Sequence, residues 1–254
     1  ELRPVQQRAL AFMLSHERDV DGAPKDFARL PTPGGHSVYY GRTAFCLRRP
    51  ASGGFLMQEM GIGKTVEALA LVLANPRPLD DPDAPLGTLV VCPTTLLANW
   101  KSEIEKLMPR RTRWLVLNSA AKKAHDTPSK LSRYHVVVTS YTLLSGSPAL
   151  KAKWRRVIFD ESQTVKEVYT VQARAAEQII APFRWALSGT PMPKDVGDLK
   201  GQLNVLQTFP FYGSALGDSS NRFEARLLPG PGNKAWAESR WGGESEGKLS
   251  EGEA

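Results

Sequence analysis

The chain has 254 residues, 41% of them apolar and 23% charged, with a formal charge of +7 and a pI near 9.5. That composition excludes disordered and fibrous classes and leaves length for one large domain or two small ones. Only two cysteines occur, Cys46 and Cys92, which argues for a reducing compartment and against a disulfide framework or a zinc site built within the chain. There is no run of about 18 apolar residues and no signal-peptide pattern, so neither a membrane nor secretion is expected.

In chain order, "ELRPVQQ" opens without a methionine, so the true start is expected to lie upstream. "VQQRALAFMLSHE" spaces its apolar residues as a helix, and 18–52, rich in Pro, Gly and Arg, reads as a loop or insertion. "GGFLM" is a short strand entering a glycine turn, followed by the helix "TVEALALVLAN". After a loop come the buried strand "TLVVCP" and the amphipathic helix "TLLANWKSEIEKLM", with a capping threonine expected at Thr94 or Thr95. "RWLVLN", "HVVVTSY" and "RRVIFDE" are β-branched strand runs. "VQARAAEQII" then reads as a helix, "FRWALSG" as a strand and "DVGDLKGQLNVL" as a helix. Strands alternating with helices imply an α/β fold, a parallel sheet covered on both faces. Periodicity stops near Gly213, and 213–254 reads as a low-complexity, disordered tail.

Charge is distributed unevenly. Lys and Arg number 13 against 3 Asp and Glu over residues 101–156, but 5 against 7 over 213–254. A basic segment of this kind suits a polyanion partner, set against a plain solvated lysine-rich face.

"MGIGKT" carries the first chemistry. Glycines let backbone N–H groups close on phosphate oxygens at a helix start; Lys64 would reach the β- and γ-phosphates and the Thr65 hydroxyl would ligate Mg²⁺. The full eight-residue phosphate-loop pattern is not met, because Gln58 stands where its first glycine belongs. The acidic half of such a site is found in "RRVIFDESQ". Asp160 and Glu161 would emerge at the carboxyl end of a buried strand beside the loop, Asp160 holding Mg²⁺ through water and Glu161 activating the attacking water. The bland alternative is a solvated Asp-Glu pair opening a helix.

Taken in order, "LRPVQQRAL", "GGFLMQEMGIGKT", "LVVCPTTLLANWKSEIEK", "VVVTSYTLL", "VIFDESQTVK" and "RWALSGTPMPKDVGDLKGQLNVL" resemble the successive motifs of the first motor lobe of Swi/Snf-related ATPases in helicase superfamily two. "AFMLSHE", the insertion before Gly53 and "LNVLQTFPF" are similar to the SHPRH-like RING-finger ubiquitin-ligase branch. The resemblance implies a RecA-like lobe over 1–212, an ATP·Mg²⁺ cofactor and a double-stranded DNA or chromatin partner. It further implies nuclear localisation, a role in remodelling or repair, and contact with ubiquitin-ligase machinery. By the same resemblance, Gln6 would meet the adenine edge and Gly61, Ile62, Gly63, Lys64 and Thr65 would hold the phosphates. Gln163 replaces the usual histidine of the family's acidic box and would couple hydrolysis to Ser188, Gly189 and Thr190. Thr94, Thr95, Ser140 and Tyr141 would meet DNA phosphates, which suits binding without base readout.

Motors of this class hydrolyse ATP between two lobes, and an arginine from the second is worth about 10³ to 10⁵ in rate. With one lobe in this sequence, the isolated chain is expected to bind nucleotide weakly and hydrolyse it slowly, and the tail to mark a truncated or misread gene product. Two other readings compete: a non-catalytic DNA- or protein-binding module that keeps the fold, and an unrelated phosphate-loop kinase or transporter ATPase.

Overall fold

A computed structural model describes residues 2–18, 27–31, 37–41, 44–46, 52–77 and 84–207. The expected tail at 213–254 and the lobe's expected end at 212 lie outside them. Six runs rich in branched and aromatic residues pair into one all-parallel sheet: β4 (Ser52–Met57), β5 (Leu86–Cys92), β6 (Trp114–Leu117), β7 (Val136–Ser140), β8 (Trp154–Asp160) and β9 (Phe183–Ser188), in the order β4-β9-β8-β5-β7-β6. The segment read as a loop before Gly53 instead contains three short strands, β1 (Phe27–Pro31), β2 (Ser37–Gly41) and β3 (Ala44–Cys46), in a separate antiparallel sheet. Its Pro and Gly content hid them, because that composition normally punctuates strands.

Alternation along the strands feeds two cores. Val90, Cys92, Ile158, Trp185 and Leu187 pack against α1 (Pro4–Arg18), α2 (Lys64–Ala74) and α3 (Leu97–Leu107) through Met13, Leu71, Trp100 and Ile104. Leu89, Val91, Val157 and Phe159 face the other way, onto Tyr141 and Leu144 of α6 (Tyr141–Leu144), Ala176 of α7 (Val171–Glu177) and Val205 of α8 (Leu199–Val205). Each such fully buried aliphatic side chain contributes about 1.5–3 kcal/mol. Two short helices, α4 (Ser119–His125) and α5 (Pro128–Leu131), complete the connection from β6 to β7. No helix among the described residues is long and apolar enough to cross a membrane.

Away from the strands' carboxyl ends, the elements are pinned by a buried charged network. Glu17, near the end of α1, is fully buried and accepts from the Arg156 guanidinium on β8, from Trp185 Nε1 on β9 (3.0 Å) and from Asn75 Nδ2 (2.8 Å) at the end of α2. Arg156 also donates to Thr88 Oγ1 on β5 (2.9 Å) and to the Asn75 carbonyl (3.1 Å). Two buried charges cost several kcal/mol each unless paired and fully hydrogen-bonded, a condition this network meets.

Candidate functional site

Register brings the motif-bearing strand ends together. Met57 pairs with Ser188 and Asp160 with Leu187, while Cys92 pairs with Ser140 one strand further on. The glycine turn, the acidic pair and the Ser-Gly-Thr turn therefore stand side by side at the carboxyl edge, where open parallel sheets take their ligands.

The glycine turn runs from β4 into α2 with Gly61 at φ 84° and Gly63 at φ 102°, both left-handed. A Cβ at Gly63 would come within 2.6 Å of Gln6 Nε2. Only glycine lets Gln6 donate to the Ile62 carbonyl at 2.9 Å while Arg3 N donates to its Oε1 at 2.9 Å. These two bonds leave the carboxamide one N–H and one lone pair. Lys64 Nζ donates to the carbonyls of Gln58 (2.9 Å) and Glu59 (3.2 Å), so the loop's cation is held by neutral acceptors. Thr65 is half-buried in the first turn of α2.

Gln58 uses its side chain beneath the loop, donating to the fully buried Glu67 at 3.2 Å. Gln58 Oε1 and Glu67 Oε2 are buried and meet no donor. Burial pushes the Glu67 carboxyl above its ordinary value, against the bond from Gln58 and the charge of Lys64. Burial also raises Asp160, opposed by its hydrogen bond from Trp100 and the Lys64 charge and reinforced by Glu161.

Asp160 is 7% exposed; its Oδ2 accepts from Trp100 Nε1 (2.8 Å) and its Oδ1 from Glu161 N (3.0 Å). Glu161 sits in the left-handed region at φ 49°, a conformation that a non-glycine residue holds only when its surroundings impose it. Gln163 joins the pieces. Its Nε2 donates to Glu161 Oε2 at 2.6 Å, its Oε1 accepts from Ser188 Oγ at 2.7 Å, and Thr190 N donates to Ser188 Oγ at 3.0 Å. A Cβ at Gly189 would lie 3.6 Å from Lys64 Nζ, which puts that turn over the loop.

The expected DNA-facing hydroxyls divide. Thr94 and Thr95 are exposed on a single 3-10 turn (Thr94–Leu96), and neither caps α3, whose N-cap position falls on Leu96 without a side-chain bond. The capping expectation is thereby corrected, because the 3-10 turn displaces the helix start. Tyr141 is corrected as well: it is 2% exposed, its hydroxyl donates to the Asp160 carbonyl at 2.9 Å, and burial raises its pKa well above normal. Ser140 is buried and shares its hydroxyl with Thr142 Oγ1 at 2.9 Å, which leaves the exposed Thr142 as the outward hydroxyl. The sequence reading missed Thr142 and Trp100; in Trp100 the helical apolar spacing shows only a core position.

The side chains present fit a magnesium nucleotide. Two left-handed glycines and a helix start form a concave row of N–H donors, with a lysine free to exchange neutral carbonyls for phosphate oxygens. No group of three or more His, Cys, Asp or Glu able to hold a metal occurs among the described residues. Mg²⁺ does not need one, since it binds through one or two carboxylates plus phosphates and water.

A family model described as SNF2-related domain matches residues 5–226. An uncharacterised ATP-dependent helicase of Schizosaccharomyces pombe is 31% identical over 63% of this chain and 17% of its own length. DNA repair protein RAD5B of Arabidopsis thaliana is 28% identical over 83% of this chain and 20% of its own. DNA repair protein RAD5 of Yarrowia lipolytica is 29% identical over 83% and 24%. The chain thus spans 17 to 24% of the length of these three relatives. The Sulfolobus solfataricus SWI2/SNF2 ATPase core in complex with dsDNA superposes with a TM-score of 0.60 at 24% identity, covering 89% of this chain and 38% of that one. At that identity the likeness shows the fold, a RecA-like lobe.

Proposed function

This chain belongs to the SNF2-related family, and on that premise we propose that it is the ATP·Mg²⁺-binding lobe of a double-stranded-DNA translocase acting in DNA repair or chromatin remodelling in the nucleus. The observation that carries the proposal is the Glu161–Gln163–Ser188–Thr190 chain of hydrogen bonds beside the glycine turn and Asp160. Bound ATP supplies a transferable phosphoryl group. Lys64 exchanges its two carbonyl partners for phosphate oxygens, and the N–H groups of the Gly61–Thr65 turn add neutral donors. Thr65 and Asp160 would hold Mg²⁺, which would supply positive charge against the phosphates and favour the ionised Asp160 that burial opposes. Glu161 orients the attacking water and takes its proton, while the Gln163 amide keeps the carboxylate aimed by donating to it.

Exposed Thr94, Thr95 and Thr142 grip phosphates of one DNA strand, and the basic segment at 101–156 supplies salt-sensitive attraction. Support for a duplex DNA substrate comes from the Sulfolobus solfataricus neighbour, which was solved in complex with dsDNA, and support for repair from the RAD5 relatives. Placement in the SHPRH-like branch, with ubiquitin-ligase machinery as partner, rests on "AFMLSHE" and "LNVLQTFPF".

The test is duplex-DNA affinity by fluorescence anisotropy, with and without Mg²⁺ and a slowly hydrolysed ATP analogue, for the wild type and Lys64→Ala. Nucleotide should change the affinity in the wild type alone. Salt-sensitive binding indifferent to nucleotide and to Lys64→Ala would support the non-catalytic binding module, and no binding to duplex would overturn the translocase reading.

A further inference from the structure

Behind the Ser162–Val165 turn and the Ser188–Pro191 turn lies a buried polar contact. Gln202, on α8, is fully buried. Its Nε2 donates to the Pro191 carbonyl (2.6 Å), in the turn that carries Ser188, Gly189 and Thr190, and to the Asp198 carbonyl (2.9 Å). Its Oε1 accepts from Ser162 Oγ (2.7 Å), the residue directly after Glu161. Two carbonyl acceptors fix which end of the carboxamide is nitrogen, so only an amide of this length satisfies all three partners at once.

Three further contacts lock α8 to the same turns. Gly201 N donates to the Lys166 carbonyl at 3.0 Å, and a Cβ at Gly201 would fall 1.9 Å from the Val165 carbonyl oxygen. Backbone of α8 therefore lies directly on the Ser162–Val165 turn that follows Glu161. Lys166 Nζ pairs with Asp198 Oδ1 at 2.9 Å, and Asp198 Oδ2 accepts from Lys194 N at 2.8 Å. Lys166 follows the acidic box and Lys194 follows the Ser-Gly-Thr turn, so the buried Asp198 repeats, with a charge, the bridge that Gln202 makes with its amide. The Lys166 bond holds the Asp198 carboxyl below its usual value, which keeps the bridge charged.

We infer that Gln202 is a positioning residue that binds α8 to both nucleotide-sensing turns, so that α8 moves with them as one body and reports their nucleotide state. The inference rests on the nucleotide-site reading above. It assigns Gln202 no contact with nucleotide, metal or reacting atoms. A side chain that only filled space at this position would be served by leucine, since Val165 and Val205 nearby already belong to an apolar core. Leucine would leave the Pro191 carbonyl and the Ser162 hydroxyl without these partners.

Hydrogen exchange of the full chain, with and without a slowly hydrolysed ATP analogue and Mg²⁺, tests this, with nucleotide affinity measured in parallel. In the wild type, nucleotide should slow exchange of the α8 amides by about fivefold or more, the low end of coupling between sites. Gln202→Leu should keep the affinity and the protection of residues 61–66 but lose the response of α8. Ser162→Ala, which removes one donor and no apolar volume, should weaken the same response and serves if Gln202→Leu does not fold. Equal α8 protection in wild type and variants overturns the inference, as does an α8 that stays silent while 61–66 become protected. No protection of 61–66 in the wild type overturns the nucleotide-site reading itself, and the inference with it.

Discussion

The two regions of the sheet that carry its polar clusters are built on opposite terms. Around Glu17 and Arg156, five elements of the lobe are tied down: α1, α2, β5, β8 and β9 meet in one buried, paired and hydrogen-bonded network. At the carboxyl edge the arrangements are incomplete: Lys64 on neutral carbonyls, two buried oxygens on Gln58 and Glu67 without donors, and Glu161 in a left-handed conformation. Arg156 and Asp160 are four residues apart on one strand, about 13 Å. Strain and unmet polarity at one place are sustained by satisfied charge at the other. Cys92, at the carboxyl end of β5, shows how dry that edge is beneath the site: burial and the Asp160 charge push its thiol up to about 12.

The contrast breaks most severely in the network. Glu17→Ala strands the Arg156 guanidinium and should cost about 3–5 kcal/mol of stability in urea denaturation. Gln163→Ala, at the other region, should cost less than about 1.5 kcal/mol, the worth of an ordinary hydrogen bond. It should nonetheless slow single-turnover hydrolysis by about 10² or more, the scale of positioned general-base catalysis. Equal stability losses in the two variants would erase the distinction between the regions.

Smaller effects sharpen it. Thr94→Ala with Thr95→Ala should weaken duplex binding by about 1–3 kcal/mol, the loss of two neutral donors to phosphate, while leaving the salt slope unchanged because no protein charge is removed. The acidic edge should also show in pH. Asp160 and Glu67 bind protons more tightly folded than unfolded, so their contribution to stability falls as pH rises from the ordinary values of 3.8 and 4.5 through the raised ones. Glu67→Gln keeps a partner for Gln58 and should flatten the melting-temperature profile above pH 4.5, leaving the slope due to Asp160. An unchanged profile would mean that Glu67 does not hold its proton.

Much of this was legible in the chain. Strands β4 to β9 announce themselves as short apolar runs, β-branched in β5, β7 and β8, because both faces of a parallel sheet are buried, and "GIGKT" and "VIFDES" are local enough to be read directly. What stayed hidden depends on partners far apart or on weak local patterns. Trp100 meets Asp160 across 60 residues and Gln202 meets Ser162 across 40; no spacing rule encodes either. Helices α4 and α5 went unread because Leu131 is their only buried residue. Tyr141 looked like a surface hydroxyl because it follows the strand that ends in Ser140. The chain turns into α6 there and carries the ring under β8 instead.

The most direct test of the account is an equilibrium titration of the chain with a fluorescent ATP analogue, with and without Mg²⁺, for the wild type and Lys64→Ala. The carboxyl-edge site predicts saturable binding that Mg²⁺ strengthens and that Lys64→Ala abolishes. Binding that ignores both the metal and the substitution, or no binding at all, would contradict it.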